Sequence, residues 1–181
     1  MLTSQNYHTL LKFAYDIPTE SDGFFRNVLR LFEVHFGVRV SLLLTCPVAA
    51  RDCIPQWEEY RYIVRNLLPA IVKTYFSKFF QSDAFSQWIQ TQHENVVSLT
   101  TLLSEEQRAQ SAYLQYLHSL GITSQAFIFL EWEQHTYAAI SLFRHEDEGD
   151  FTPEELQMFS ILARLITNNT FKPYPRTRPP F

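Results

Sequence analysis

The chain has few glycines, and the motifs of common enzyme classes are missing. Its 181 residues include four glycines, all isolated, so no glycine-rich loop is available to cradle a phosphate. The zinc-protease pattern H-E-x-x-H and the hydrolase pattern G-x-S-x-G are absent as well. We therefore expect no nucleotide or hydrolase site, and we expect that the protein is not an enzyme.

Cysteine and histidine are sparse. The two cysteines, Cys46 and Cys53, are too few for a disulfide scaffold, and their spacing matches no C-x-x-C site. The six histidines are scattered along the chain rather than clustered. We expect no metal site, no cofactor and a reducing, cytoplasmic location.

Charge of either sign and long apolar runs are also scarce. Charged residues make up 19% of the chain, and the net charge is −4. This balance argues against direct nucleic-acid binding, which needs a concentrated basic face. No apolar run approaches the ~18 residues of a membrane span, and the first residues lack the basic start of a signal peptide. We expect a soluble protein without membrane contact.

The chain is rich in apolar side chains, which make up 46% of its residues and include sixteen phenylalanines. One domain of this length can bury a substantial core. Apolar residues at helical spacing predict a first helix that Pro18 ends. A second helix is expected from a cap at Ser21 or Asp22 to Gly37, and a buried strand over residues 38–45.

The middle of the chain, residues 54–92, shows no clear strand pattern. Pro69 is expected to divide it into two helical pieces, because proline inside a helix removes a hydrogen bond. A short strand is predicted over residues 96–99. A capping box at Ser104 and Gln107 then predicts one helix that continues to Gly121.

The last third of the chain has the strongest local signals. Two strands over residues 124–133 and 137–144, with a turn at 134–136, predict an antiparallel hairpin. An acidic turn follows at residues 146–150. Thr152, Pro153 and Glu155 then fit the N-cap, N1 and N3 positions of a closing helix. The order of elements predicts an α+β domain, an antiparallel sheet with helices on both faces.

A family resemblance rests on several segments taken together. They are residues 75–83 (YFSKFFQSD), 111–117 (SAYLQYL), 120–122 (LGI), 139–144 (AISLFR) and 150–156 (DFTPEEL). Their order and spacing resemble a GAF domain, a relative of the PAS fold. More narrowly, the chain resembles the GAF-like sensor at the N-terminus of bacterial LuxR-type transcriptional regulators. Two departures are that Ala84 follows Asp83, where proline is common, and that the helix-turn-helix is missing.

The resemblance implies a division into three parts. Residues 1–20 would be an N-terminal helix, residues 21–168 the GAF-like sensor domain, and residues 169–181 a proline-rich linker tail. The DNA-binding partner would lie beyond this sequence. DNA contact is therefore expected only through the missing C-terminal helix-turn-helix.

The resemblance also implies a ligand between the sheet and the aromatic middle segment. A pocket of about 300–1,000 Å³ would suit a small apolar or aromatic molecule. The alternative is that these aromatic side chains fill a solid core. The expected ligand-binding residues are Trp57, Tyr60, Tyr75, Phe79, Trp88, Phe127 and Phe129.

The closing helix is apolar on two adjoining stripes. Its first stripe, Leu156, Phe159, Ala163 and Ile166, suits a sheet face, so the second needs another cover. The first helix of the same subunit or a second subunit would supply it, and we expect a homodimer. The predicted dimerisation residues are Met158, Ile161, Leu162 and Leu165.

Three functions remain open at this point. The first is a ligand-sensing and dimerising regulatory domain in signal transduction. The second is a ligand-free protein interaction or dimerisation module. The third is a thiol-based enzyme that reduces free methionine sulfoxide, as some GAF-related proteins do with cysteines. It would need a reactive thiol at Cys46 or Cys53.

Overall fold

The structure, a computed structural model, describes residues 1–18, 23–45, 61–80, 94–132 and 135–170. An antiparallel sheet of five strands forms its centre, in the order β2-β1-β5-β4-β3. The strands are β1 (Val40–Thr45), β2 (Arg61–Arg65), β3 (Val96–Ser98), β4 (Ile122–Trp132) and β5 (His135–His145).

Seven α-helices accompany the sheet in the described residues. They are α1 (Ser4–Asp16), α2 (Phe24–Phe36), α3 (Pro69–Lys78), α4 (Leu99–Leu102), α5 (Glu105–Gln110), α6 (Ala112–Ser119) and α7 (Pro153–Thr170). A 3₁₀ helix, Glu146–Glu148, precedes α7. Helices α2 and α7 cover one face of the sheet, with α1 packed against both of them. Helices α3 and α6 cover the other face, so the predicted α+β class is confirmed.

Strand periodicity divides the core between the two faces. In β4, Ile128 and Leu130 belong to the core under α2 and α7, whereas Phe127 and Phe129 lie on the opposite side. We call these the terminal-helix face and the cavity face. Aromatic rings pack edge to face on the terminal-helix face, where the Phe32 centroid lies 5.2 Å from Phe13 and 5.5 Å from Phe159.

Local capping signals fix the helix ends as predicted. The Glu155 amide donates to Thr152 Oγ1 at 3.2 Å, and the Thr152 amide donates to Glu155 Oε2 at 2.9 Å. Ser104 and Gln107 make the same reciprocal pair at the start of α5. Gly37 ends α2 with φ +69°, a left-handed conformation that glycine adopts without strain.

Two predictions in the middle of the chain were wrong. Residues 61–65 form a strand, β2, which pairs along its whole length with β1. Pro69 does not split a helix but occupies the first turn of α3, where its missing N–H costs nothing.

The helix predicted from Ser104 to Gly121 is interrupted. Ser111 has extended backbone angles, φ −75° and ψ 115°, and separates α5 from α6. Its hydroxyl accepts a hydrogen bond from the Leu114 amide at 3.3 Å. Ser111 therefore caps a new helix, because its side chain offers the backbone an alternative to helix continuation.

The hairpin is confirmed, and its second strand begins earlier than predicted. His135 and Thr136 belong to β5 rather than to the turn. The register shifts where Leu130 faces Ala138 and Glu131 faces Thr136, so Tyr137 is an extra residue, a β-bulge.

Helix α2 begins, and helix α7 ends, at a different residue from the predicted boundary. The N-cap of α2 is Gly23, with φ +70°, and not Ser21 or Asp22, which lie outside the described residues. Helix α7 continues to Thr170, past the predicted domain end at residue 168. Residues 171–181 of the predicted tail lie outside the described part. Among the residues that the structure describes, no helix has the length and apolar character needed to cross a bilayer.

Candidate functional site

A small cavity lies on the cavity face, between the sheet and helices α3 and α6. Pro69 starts α3 so that Val72 and Phe76 are buried toward the sheet. Tyr113 and Leu117 are the buried residues of α6. The described residues enclose about 30 Å³. They are Leu42, Leu44, Leu67, Ile71, Val72, Tyr75, Tyr113, Leu117, Gln125, Phe127, Ser141 and Phe143.

Four of these lining residues carry a polar group, namely Tyr75, Tyr113, Gln125 and Ser141, and none of the described ones is charged. Gln125 is 1% exposed, Ser141 2% and Tyr113 7%. The Tyr113 hydroxyl donates to Gln125 Oε1 at 3.3 Å. Because a buried charge needs a compensating partner, this interior suits an uncharged molecule that can form hydrogen bonds.

Aromatic rings close the cavity on the helix side. The Tyr113 ring centroid lies 4.9 Å from that of Tyr75 and 5.7 Å from that of Phe79. On the sheet side, Phe127 and Phe129 stack with centroids 6.2 Å apart. The structure thus brings Tyr75 and Phe127 to one cavity, with Phe79 and Phe129 beside them. The other predicted ligand-binding residues, Trp57, Tyr60 and Trp88, lie outside the described residues.

The cavity is much smaller than the expected pocket. A volume of about 30 Å³ is enough for one water molecule, whereas a ligand site spans about 300–1,000 Å³. The aromatic rings of Tyr75, Tyr113 and Phe127 occupy the space between helices and sheet. Among the described residues, the cavity face is therefore close to filled.

A larger groove of about 630 Å³ lies at the β3 edge of the sheet, beside α7. Asn95 and Ser160 join its two sides, since the Asn95 side-chain amide donates to the Ser160 carbonyl at 3.3 Å and the Ser160 hydroxyl donates to Asn95 Oδ1 at 2.7 Å. Glu94, Glu131 and Arg164 also line it. Val96, Phe129, Leu156 and Ala163 add apolar surface, so the lining of the groove is mixed and carries charges that the cavity lacks.

The start of α7 is held by a buried arginine. Arg144, 8% exposed, donates to Glu155 Oε2 at 3.0 Å and Oε1 at 2.6 Å, and to the Asp150 carbonyl at 2.9 Å. Its guanidinium carbon lies 4.3 Å from the Phe151 ring centroid. Burial pushes the pKa of Glu155 upward, but the hydrogen bonds and charge of Arg144 and the Thr152 amide prevail and hold that pKa below its usual value.

The second stripe of α7 is only partly available to another subunit. Met158 and Leu162 are 4% and 0% exposed and belong to the same core as Leu10 and Phe13 of α1. Both side chains pack within the subunit, and their part in dimerisation stays a prediction. Ile161 is 42% exposed, and Leu165 is half-buried against the core.

Comparison with known proteins bears on the fold. No protein-family model matches the chain, and no curated protein matches it. Several solved structures are similar to it. The VqsR LBD domain from Pseudomonas aeruginosa is 13% identical, with a TM-score of 0.61 over 92% of this chain and 97% of that one.

Two further structures agree. SdiA in complex with octanoyl-rac-glycerol is 15% identical, with a TM-score of 0.57 over 98% of this chain and 74% of that one. The GAF domain/HD domain protein from Geobacter sulfurreducens is 14% identical, with a TM-score of 0.50 over 88% and 97%. The chain has a GAF-like fold. The predicted resemblance is confirmed at the level of the fold, which is what identities this low can show.

Sequence reasoning missed the polar residues inside this GAF-like fold. Ser141 is an isolated polar residue in β5, and Gln125 is the last of three polar residues at the start of β4. Each shares its strand face with a phenylalanine two positions away, Phe143 and Phe127. That period of two was the available signal.

In the described ranges, no group of three or more histidine, cysteine, aspartate or glutamate side chains is placed so that it could hold a metal ion. His35 instead contacts Asp16 at 2.9 Å and joins α2 to α1. Cys46 and Cys53 lie outside the described residues. The thiol-based enzyme alternative stays a prediction.

Proposed function

We propose that this chain is the ligand-sensing and dimerising regulatory domain of a transcriptional regulator, and that it signals to a DNA-binding domain outside this sequence. The observation that carries the proposal is the convergence of Tyr113, Gln125 and Ser141 on a mainly apolar interior of a GAF-like fold. The likeness to a structure described as the VqsR LBD domain supports it.

The proposed ligand is small, uncharged and mainly apolar or aromatic. The lining residues supply aromatic and aliphatic surface with a few hydrogen-bonding groups, which is the composition of a small-molecule site. Octanoyl-rac-glycerol, named in the SdiA complex, has this character, with an apolar chain and an uncharged polar end. It is therefore the first compound to test.

The proposed signal runs along β5. Phe143 lines the cavity, and the next residue, Arg144, binds Glu155 on α7 from the opposite face of the strand. A ligand that binds one arrangement of these elements better than another shifts the population toward it. The arrangement of α7 would then report occupancy of the cavity face to a partner domain.

The proposed homodimer uses the exposed part of α7. Ile161 lies on the solvent side of the helix and Leu165 at its margin, whereas Met158 and Leu162 serve the monomer core. A parallel pairing of α7 with its copy, with the two-fold axis along the helices, would place both C-terminal helix ends on one side of the dimer, as a palindromic DNA site requires.

Thermal unfolding tests the sensing proposal. Octanoyl-rac-glycerol is expected to raise the melting temperature in a concentration-dependent way, because a ligand that binds only the folded state stabilises it. Octanoate has a similar chain but carries a charge, so it serves as the matched control and is expected to give a smaller shift. The proposal fails if a set of neutral amphiphiles and aromatic compounds gives no shift, and if mass spectrometry of the native protein detects no bound small molecule.

The second candidate function is a ligand-free interaction module. The cavity volume of about 30 Å³ favours it, because so small a space is compatible with a filled core. A cavity-filling substitution, Ser141→Val, separates the two candidates. In a ligand-free module, the substitution leaves dimerisation unchanged, and neutral compounds do not raise the melting temperature of either form. In a sensor, the substitution reduces the rise in melting temperature that the neutral compound causes.

A further inference from the structure

We propose that Tyr113 is a latch that keeps the cavity face closed in the ligand-free protein, through its hydrogen bond to Gln125. Ligand entry would break this bond and move the Tyr113 ring outward. The inference rests on the proposed sensing function, and it explains how a protein with an interior space of about 30 Å³ can admit a larger molecule.

The position of Tyr113 in the chain suits a moving element. It is the second residue of α6, directly after the helix break at Ser111. Helix α6 has eight residues and two buried side chains, Tyr113 and Leu117. An element with so few buried contacts lies at the low-stability end of local opening.

The same side chain forms the boundary between the cavity and α3. Its ring packs on Tyr75 and Phe79, and its hydroxyl reaches across to Gln125 on β4. Displacing one side chain therefore opens the cavity between helix and sheet. Gln125 is buried, so breaking the bond in the closed form leaves its side-chain oxygen without this donor, a cost that favours either the intact latch or the open form with a ligand.

The latch has a measurable consequence for affinity. When the binding-competent form is a minor population, the apparent dissociation constant rises by the inverse of its fraction. A neutral hydrogen bond biases such an equilibrium by about 2- to 10-fold. Removing the bond should therefore tighten the binding of an apolar probe by about that factor.

The test is a fluorescence titration with N-phenyl-1-naphthylamine, an uncharged and mainly apolar probe. Tyr113→Phe removes only the hydroxyl and is expected to bind the probe about 2- to 10-fold more tightly than the wild type. Gln125→Met removes the acceptor and is expected to do the same. The double variant should gain little beyond either single one, because the two changes remove one shared bond.

The matched control lies on the other face of the sheet. Tyr137 is also a buried tyrosine whose hydroxyl donates to a side chain, Thr167 Oγ1, at 3.3 Å. Tyr137→Phe should leave probe affinity unchanged. The latch is overturned if Tyr113→Phe binds the probe no more tightly than the wild type, or if Tyr137→Phe tightens binding equally.

Failure of the latch differs from failure of the sensing proposal. If the wild type and Tyr113→Phe respond equally to octanoyl-rac-glycerol and to the probe, sensing stands and the latch is rejected. If Tyr113→Phe binds the probe more tightly while no neutral compound stabilises the wild type and mass spectrometry finds no bound small molecule, the Tyr113–Gln125 bond still closes the cavity face but the sensing proposal falls.

Discussion

Arg144 on β5 holds Glu155 on α7 through two hydrogen bonds, of 3.0 Å to Oε2 and 2.6 Å to Oε1. Both side chains are largely buried at this junction, at 9% and 18% exposure. Paired, planar hydrogen bonds between charged groups are among the stronger polar contacts in proteins, and breaking a buried pair leaves one charge uncompensated. The pair therefore fixes the start of α7 on the sheet.

Substitution Glu155→Gln should lower the free energy of unfolding by about 2–3 kcal/mol at pH 7. Against the effect of burial, Arg144 and Thr152 hold the pKa of Glu155 below its usual value in the folded protein. Its contribution is therefore complete above the unfolded pKa and is lost as the pH falls through the folded pKa. Urea unfolding at pH 7 and at acidic pH should thus show a difference that shrinks with acidification. Glu154→Gln, at an exposed neighbouring position, is the control and should change little. An equal loss at both pH values would contradict this account.

Substitution Ser41→Ala should leave stability unchanged or raise it by up to about 1 kcal/mol. Ser41 is fully buried, and its hydroxyl oxygen has no hydrogen-bond partner in the part of the chain that the structure describes. The contrasting control is Ser98, equally buried, whose hydroxyl accepts from the Thr101 amide at the start of α4. Ser98→Ala should cost about 1 kcal/mol, since it removes a helix cap. Chemical denaturation of both variants measures the contrast, and equal losses would show that Ser41 has a partner.

Substitution Ile161→Glu should convert the proposed dimer to a monomer while the fold is kept. The side chain is 42% exposed, so a carboxylate there can stay hydrated in the monomer but would be buried in a two-fold interface. Light scattering after size exclusion gives the mass, and circular dichroism monitors the fold. Val34→Glu, at an exposed position of α2, is the control and should remain dimeric.

Another exposed surface supplies the alternative outcome for that experiment. Helix α1 carries Tyr7, Leu11 and Tyr15 on its solvent side, at 55%, 68% and 90% exposure. If Leu11→Glu rather than Ile161→Glu gave the monomer, the interface would lie on α1 and the assignment to α7 would be rejected.

The parts of the fold that sequence could predict are those with local signals. The Thr152–Glu155 capping pair and the hairpin follow from neighbouring residues and appear as expected. Strand β2 was missed because its pattern, exposed at Arg61 and Tyr62 and half-buried afterwards, resembles no regular alternation. Its stability comes from pairing with β1, a contact across the chain that periodicity does not show.

The candidate site was predictable to a similar extent. Aromatic enrichment identified Tyr75 and Phe127, but polar Gln125 and Ser141 gave no sign in composition that they face inward. Their side is set by strand register, which depends on the partner strands. In α7, the sequence showed two apolar stripes but not which element packs on each of them. In the folded chain α1 contacts α7, and this contact across the chain has no local signal in the sequence.

The bulge at Tyr137 has a consequence for how α7 can move. The extra residue directs the Tyr137 hydroxyl to Thr167 near the end of α7, while Arg144 holds Glu155 near its beginning. Helix α7 is therefore hydrogen-bonded to the same strand at two points, about 18 Å apart along the helix axis. If the helix slid along its axis or turned about it, one of these two contacts would be strained. The motion that both contacts permit is a tilt of strand and helix together, so a domain joined to α7 would be reoriented as a whole.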